Sequence, residues 1–309
     1  MATTRLLTTS HGTNREAFTL ADWGMFLSLA AIWGSSFLFM AIGLDTFHPG
    51  VVTLIRVSLG AASLSLIPRT RMVKVDREDW PRVALLALIW VAIPFTLFPI
   101  AQQWIDSAVA GMLNGATPIF TALIATILLR SFPGPLQVLG LFVGFGGIVA
   151  IALPSAGQGT TAAVGVILVV TATVGYAISL NISTPLQQKY GSVPLMARVL
   201  WLAVPLVIPY GMIGLGESTF AWSSFLAVAA VGVLGTGLAF IFMGTLLGSV
   251  GATRASFLTY LIPVVALVLG VVFRDEIVSP VAIIGVVLVI VGAILASRRE
   301  TGSLRRRPS

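Results

Sequence analysis

The chain has no cysteine and only two histidines, His11 and His48, and these absences remove most enzymatic chemistry at once. Without a thiol there is no disulfide framework, no thiol nucleophile and no thiolate metal site. Ser-His and Cys-His arrangements lack a base, because His11 lies in a polar tail and His48 at the mouth of an apolar run. No cluster has the His/Asp/Glu spacing of a metal site, and no G-x-x-x-x-G-K-[ST] loop offers an ATP cradle. No cofactor is expected. Charge is scarce as well, at 9% of residues, and all eleven carboxylates fall in loops, tails or helix ends. Proton-driven carriers commonly place an acid or histidine along the pathway. The nearest acid here, Asp106, is expected to cap a helix.

What the chain has in abundance is apolar length. It is 57% hydrophobic, with a mean hydropathy of +1.01, which no soluble domain of this size shows. A helix needs about 20 apolar residues to cross a hydrocarbon core of roughly 30 Å. Such runs occur near 23–43, 49–67, 83–103, 107–129, 136–153, 163–183, 194–214, 222–247, 252–272 and 280–297, and the third and eighth are long enough to hide a break. The runs are continuous rather than alternating, which excludes a membrane barrel.

The second half repeats the first. At a shift of 145 positions Ala110 meets Ala255, Pro118 meets Pro263, Pro135 meets Pro280, Gly140 meets Gly285 and Gly147 meets Gly292. Upstream, Gly34 meets Gly175 and Pro68 meets Pro209 at 141, and Arg56 meets Arg198 at 142. Five runs per half would make the halves inverted in the membrane. The expected fold is thus all-α integral membrane, ten transmembrane helices in two inverted five-helix repeats around a central cavity. Its parts are a tail (1–22), one repeat (23–153), a linker (154–162), the second repeat (163–297) and a basic tail (298–309).

Net charge is +7, but its placement indicates a bilayer rather than nucleic acid. Arg5, Arg15, the Arg69–Arg82 cluster, Arg130, Lys189 and the tail arginines from Arg298 to Arg307 all fall on one side of the expected topology. The other side holds Arg274 with Asp45, Asp106, Glu217, Asp275 and Glu276. That asymmetry is expected to place both termini in the cytoplasm. The first 21 residues lack the apolar core of a signal peptide.

Several short motifs resemble one family. Trp33-Gly34-Ser35-Ser36, Pro49 with Arg56, Ala116-Thr117-Pro118-Ile119, Leu261-Ile262-Pro263-Val264, and Glu276 followed by Pro280 and Gly285 are similar to motifs of the drug/metabolite transporter superfamily, EamA branch. The chain departs from that pattern at Arg130-Ser131, where an acid is expected. The resemblance implies a ten-helix carrier of a bacterial inner membrane that exports small metabolites or drugs, and within the branch it is greatest to amino-acid exporters of the YddG type. With no acid inside an apolar run, passive exchange or facilitated diffusion is expected of such a carrier; the alternatives are a proton-coupled drug exporter that works through Asp106 and a membrane-embedded lipid-modifying enzyme.

Candidate pathway residues are the polar and aromatic side chains at mid-depth: Trp33, Ser35, Trp90, Gln102, Asn114, Tyr176, Asn181, Trp201 and Tyr260. An amide in hydrocarbon needs a partner, so Asn114 and Asn181 face protein or water and either bind a zwitterion or join helices. Arg56 either holds a substrate carboxylate or ties its helix to neighbours. Arg198 and Arg254 lie near the surface, where their stems snorkel. Trp80, Trp104 and Trp222 are expected in the interfacial belts. Pro118 and Pro263 are candidate hinges, since each removes a backbone donor from a run's centre. G-x-x-x-G pairs such as Gly111–Gly115 and Gly140–Gly144 are expected to pack helices within a single subunit. The fifth and tenth runs are expected to face lipid. The expected partners are a small-molecule substrate (an amino acid or similar zwitterion) and the lipid bilayer.

Overall fold

The computed structural model describes residues 19–128, 134–250 and 256–297, and among these every regular element is helical. The expectations made for both tails, for Arg130-Ser131 and for Arg254 fall outside the described residues. Seven helical segments are long and apolar enough to cross a bilayer, and three more apolar helices are shorter. In chain order they are α1 (Leu20–Leu44), α2 (Pro49–Ser65), α3 (Arg77–Ala101), α4 (Ser107–Leu128), α5 (Pro135–Ala156), α6 (Thr160–Tyr190), α7 (Ser192–Gly214), α8 (Trp222–Leu246), α9 (Ile262–Arg274) and α10 (Pro280–Ser297).

The helix starts follow local chemistry. Thr19 and Asp22 form a reciprocal capping box on α1, with Thr19 N donating to Asp22 Oδ2 at 2.9 Å and Asp22 N to Thr19 Oγ1 at 3.2 Å. Pro49 opens α2, where its missing N–H has no helical partner to lose.

Both of the runs suspected of hiding a break contain a wide π turn, Ala87–Ala92 in α3 and Val231–Leu238 in α8. In α3 the turn ends two residues before Pro94, which cannot donate to the carbonyl of Trp90. In α8 it coincides with Gly232, Gly235 and Gly237, and Thr236 Oγ1 donates to Val231 O at 3.1 Å across the turn.

The two hinge candidates behave alike. α4 is interrupted after Asn114 and resumes at Thr117, with Pro118 its second residue. α9 starts at Ile262 after a 3₁₀ turn over Ser256–Tyr260, again with proline second. Each proline thus opens a helical segment instead of kinking a continuous one, because the first turn is where a missing donor costs least.

The most extensive helix pair is α5 on α10. A Cβ at Gly292 would sit 2.6 Å from Gly144 Cα, and one at Gly147 would sit 2.7 Å from Gly285 O, so only glycine permits this approach. The opposite face of α5 presents Phe142 and Leu153, and α10 presents Ile284 and Val287, all exposed as a lipid-facing surface requires. The Gly111–Gly115 pair brings α4 onto α9, against Ala266 and Pro263.

Gly292→Ala is expected to lower the thermal unfolding midpoint in detergent, at a cost of about 1–3 kcal/mol for overpacking. Gly146→Ala, in the same pair of helices but with nothing within 4 Å of its added methyl, should hold or raise the midpoint. Equal loss in both variants would contradict the packing.

Candidate functional site

Arg56 projects from the middle of α2 and is 6% exposed. Its guanidinium carbon lies 3.6 Å above the Phe95 ring of α3, Nε donates to Thr236 Oγ1 of α8 at 3.4 Å, and Nη1 meets Met40 Sδ of α1 at 3.3 Å. Phe95 meets Tyr176 of α6 edge-on at 6.3 Å, and Tyr176 stacks on Phe98 at 5.7 Å. Phe98 meets Phe37 of α1 at 5.5 Å. A second group adjoins through α8: Phe240 takes Trp90 edge-on at 5.7 Å and Trp33 at 6.4 Å. Trp33 Nε1 donates to Gly235 O at 3.0 Å. The π turn of α8 is thus held by Trp33 from α1 and by Arg56 from α2.

Of the residues singled out from the sequence, the structure brings together Trp33, Arg56, Trp90 and Tyr176. The others stand elsewhere. Ser35 donates to Ile32 O within its own helix. Gln102 lies just past the end of α3, in a turn rather than inside the helix, because α3 stops at Ala101 and the chain reverses toward Ser107. Its Nε2 donates to Phe37 O at 3.3 Å, and its buried Oε1 has no partner among the described residues. Asn114 gives its backbone carbonyl to Thr117 Oγ1 at 2.7 Å. Asn181 is buried and joins α6 to α4 by donating to Thr121 O at 3.1 Å and to Ala177 O in its own helix at 2.9 Å. Trp201 is 52% exposed and donates to Ser65 Oγ on the periphery of the bundle. Tyr260 is buried before α9. Sequence reasoning missed Met40, Phe95, Phe98, Thr236 and Phe240. The glycines around Thr236 and the proline after Trp90 were the available signals.

Each end of the bundle is fastened by charges. At the α1–α2 end Arg274 makes a bidentate pair with Asp45, at 2.7 and 2.9 Å. Glu276 caps α4, accepting from Ser107 N at 3.0 Å, Ser107 Oγ at 2.6 Å and Ala108 N at 2.8 Å. This corrects the expectation for Asp106, which occupies the N-cap position but makes no side-chain cap bond. Its place is taken by an acid that the left-handed turn at Asp275 aims at the helix start. Asp106 is exposed, and partial desolvation, then the Glu276 charge, pushes its carboxyl above the ordinary range. At the α2–α3 end Lys189 bridges Asp76 at 2.7 Å and Asp79 at 2.8 Å, and Tyr190 donates to Asp79 at 2.6 Å. Hydrogen bonds from Lys189 and then Tyr190 hold the Asp76 carboxyl below its usual range. Arg198 donates to the carbonyls of Thr70 and Val73, a structural role.

Residues 22–153 and 163–298 each match the EamA-like transporter family, and the chain belongs to it. It is 25% identical over 268 residues to the uncharacterized transporter YdfC of Bacillus subtilis (strain 168), covering 85% of this chain and 87% of that one. It is 24% identical over 290 residues to the "probable terminal-alkyne amino-acid exporter" of Streptantibioticus cattleyicolor, covering 93% and 96%. The uncharacterized inner membrane transporter YedA of Escherichia coli (strain K12) is 24% identical, with 89% and 90% covered. A protein of known crystal structure superposes with a TM-score of 0.61 at 20% identity, over 89% of this chain and 97% of that one, a likeness of fold. The protein is a multi-pass membrane transporter, and the family and these relatives are transporters rather than enzymes.

Glu276→Gln is expected to destabilise the protein by about 1–2 kcal/mol, since it weakens charge-assisted cap bonds. Asp106→Asn should leave the unfolding midpoint unchanged or slightly higher. A carboxyl whose folded pKa is raised opposes folding once ionised, so removing it above the carboxylate range takes away a penalty. Thermal unfolding at pH 7 distinguishes the two, and a larger loss for Asp106→Asn would contradict the assignment of the cap.

Proposed function

We propose that this protein exports small metabolites, amino acids or similar zwitterions above all, from a bacterial cell by alternating access. The observation that carries the reading is the convergence of α1, α2, α3, α6 and α8 on one aromatic-walled guanidinium. Trp33, Trp90 and Tyr176 supply walls with polar edges, a surface suited to the apolar parts of amino acids. The name of the Streptantibioticus relative favours the same substrate class.

On this reading 23–153 and 163–297 are inverted five-helix repeats joined by 154–162, and a single subunit suffices. Two matched pairs of features support the repeat. The π turn at Ala87–Ala92, shifted by the 145 residues of the sequence repeat, falls on 232–237, within the π turn Val231–Leu238. Pro118 and Pro263, one repeat apart, each open a helical segment after a break. Breaks at equivalent depths give half-helices that can rock against a fixed site. The basic residues around Arg69–Arg82 and Lys189 favour the α2–α3 end, and with it both tails, as cytoplasmic.

Transport is driven by the substrate gradient. Among the described residues no carboxylate touches the aromatic cluster. A proton-coupled reading has one observation in its favour, the raised carboxyl of Asp106, but that group lies outside the cluster at the mouth of α4.

Counterflow in proteoliposomes tests this. Labelled amino acid should accumulate against unlabelled internal amino acid, equally with and without a pH gradient, and Asp106→Asn should behave the same. Uptake that requires the pH gradient and vanishes in Asp106→Asn would replace this reading with the proton-coupled one.

A further inference from the structure

Among the described residues two arginines are buried, and they are treated differently. Arg82 has Asp79 at 3.7 Å. Arg56 has no carboxylate within 4 Å among the described residues, and the groups it does touch are poor partners for a cation. The Thr236 hydroxyl accepts at 3.4 Å, long for a hydrogen bond, and it also donates its proton to Val231 O. The Met40 thioether is a weak acceptor. Nη2 makes no hydrogen bond among the described residues. Phe95 covers one face of the guanidinium plane and contributes a cation–π contact but no lone pair.

A buried, planar fork with five donors, two weak bonds and no counter-charge is poised for a bidentate oxyanion. Resting on the transporter reading above, we propose that Arg56 is the substrate-recognition residue for a carboxylate, with Thr236 and Met40 as placeholders that the carboxylate displaces. Phe95 blocks one face, so the anion approaches in the guanidinium plane, where both of its oxygens can be bound. The apolar part of the solute then lies along Phe95, Tyr176 and Phe98. A free carboxylate is the obligatory feature of a transported solute, and an amine without one is rejected, because it would bring a second positive charge into the same dry site. Thr236 is a positioning residue: it joins Arg56 to the π turn of α8, so loading the guanidinium changes what holds that turn.

The test needs no variant at first. Purified protein in proteoliposomes is offered labelled leucine or phenylalanine with three competitors: the amino acid itself, its amide, and the matching carboxylic acid without the amine. The proposal expects both carboxylates to compete and the amide to be at least about tenfold weaker. Arg56→Lys should retain weak carboxylate preference, and Arg56→Gln should lose it. An amide that competes as well as the parent amino acid overturns the proposal while leaving amino-acid transport intact. Binding of the amine-free acids alone, measured by thermal shift, would keep the proposal and sink the amino-acid reading. Absence of binding by every carboxylate would overturn both.

Discussion

Inside a bilayer every backbone N–H and C=O must find its partner within the protein, and that constraint organises this bundle. Its helices are broken repeatedly, by prolines and by two π turns, and side chains from neighbouring elements reach the exposed carbonyls. Pro99 leaves Phe95 O without its helical donor, and the buried Thr53 hydroxyl of α2 shares its proton between that oxygen, at 2.9 Å, and Pro49 O, at 3.0 Å. Pro118 leaves Asn114 O, and the hydroxyl of Thr117 takes it. The π turn of α8 has Gly235 O served by Trp33 and Val231 O by Thr236. Each answer is also a contact between elements, so satisfying the breaks joins the helices around them.

The site follows from the same constraint. A π turn frees backbone carbonyls that neighbouring groups must satisfy. In α8 an indole from α1 takes the Gly235 carbonyl, and a guanidinium from α2 bonds the Thr236 hydroxyl. The turn draws Arg56 and Trp33 toward one place, and Phe240 and Phe95 carry Trp90 and Tyr176 to it. Charges fasten the ends instead, where water is near: Arg274 to Asp45 and Glu276 to the start of α4 at one end, Lys189 to Asp76 and Asp79 at the other. A buried centre whose guanidinium has no carboxylate partner among the described residues, between ends fastened by ion pairs, is an arrangement suited to a carrier.

Much of this was legible in the sequence because hydrocarbon imposes a simple rule on length and polarity. The apolar runs are where the helices lie, and the two suspected of a break both contain one. Trp33, Arg56, Trp90 and Tyr176 stood out as polar or aromatic residues with a reason to avoid lipid. Phe95, Phe98 and Phe240 did not, since a phenylalanine in an apolar run looks the same whether it lines a site or a lipid face. Gln102 was misplaced because hydropathy reads through the end of α3, which backbone geometry sets. Asp106 was given a cap that belongs to Glu276, since local pattern reasoning looks within a few residues and this carboxylate arrives from 169 positions away. Trp201, mid-run like Trp33, points outward to Ser65, and nothing in its run marks that difference.

In transport by alternating access the two ends of the bundle open in turn around a fixed site. The chain has no cysteine, so paired spin labels can be attached without background mutations. Labels at Gln103 and Gly216 report the α1–α2 end, and labels at Arg71 and Thr245 the opposite end. The distances should be measured with and without saturating amino acid in liposomes. The account predicts that substrate shifts the two distances in opposite senses. Distances that both stay fixed, or both lengthen, would contradict it.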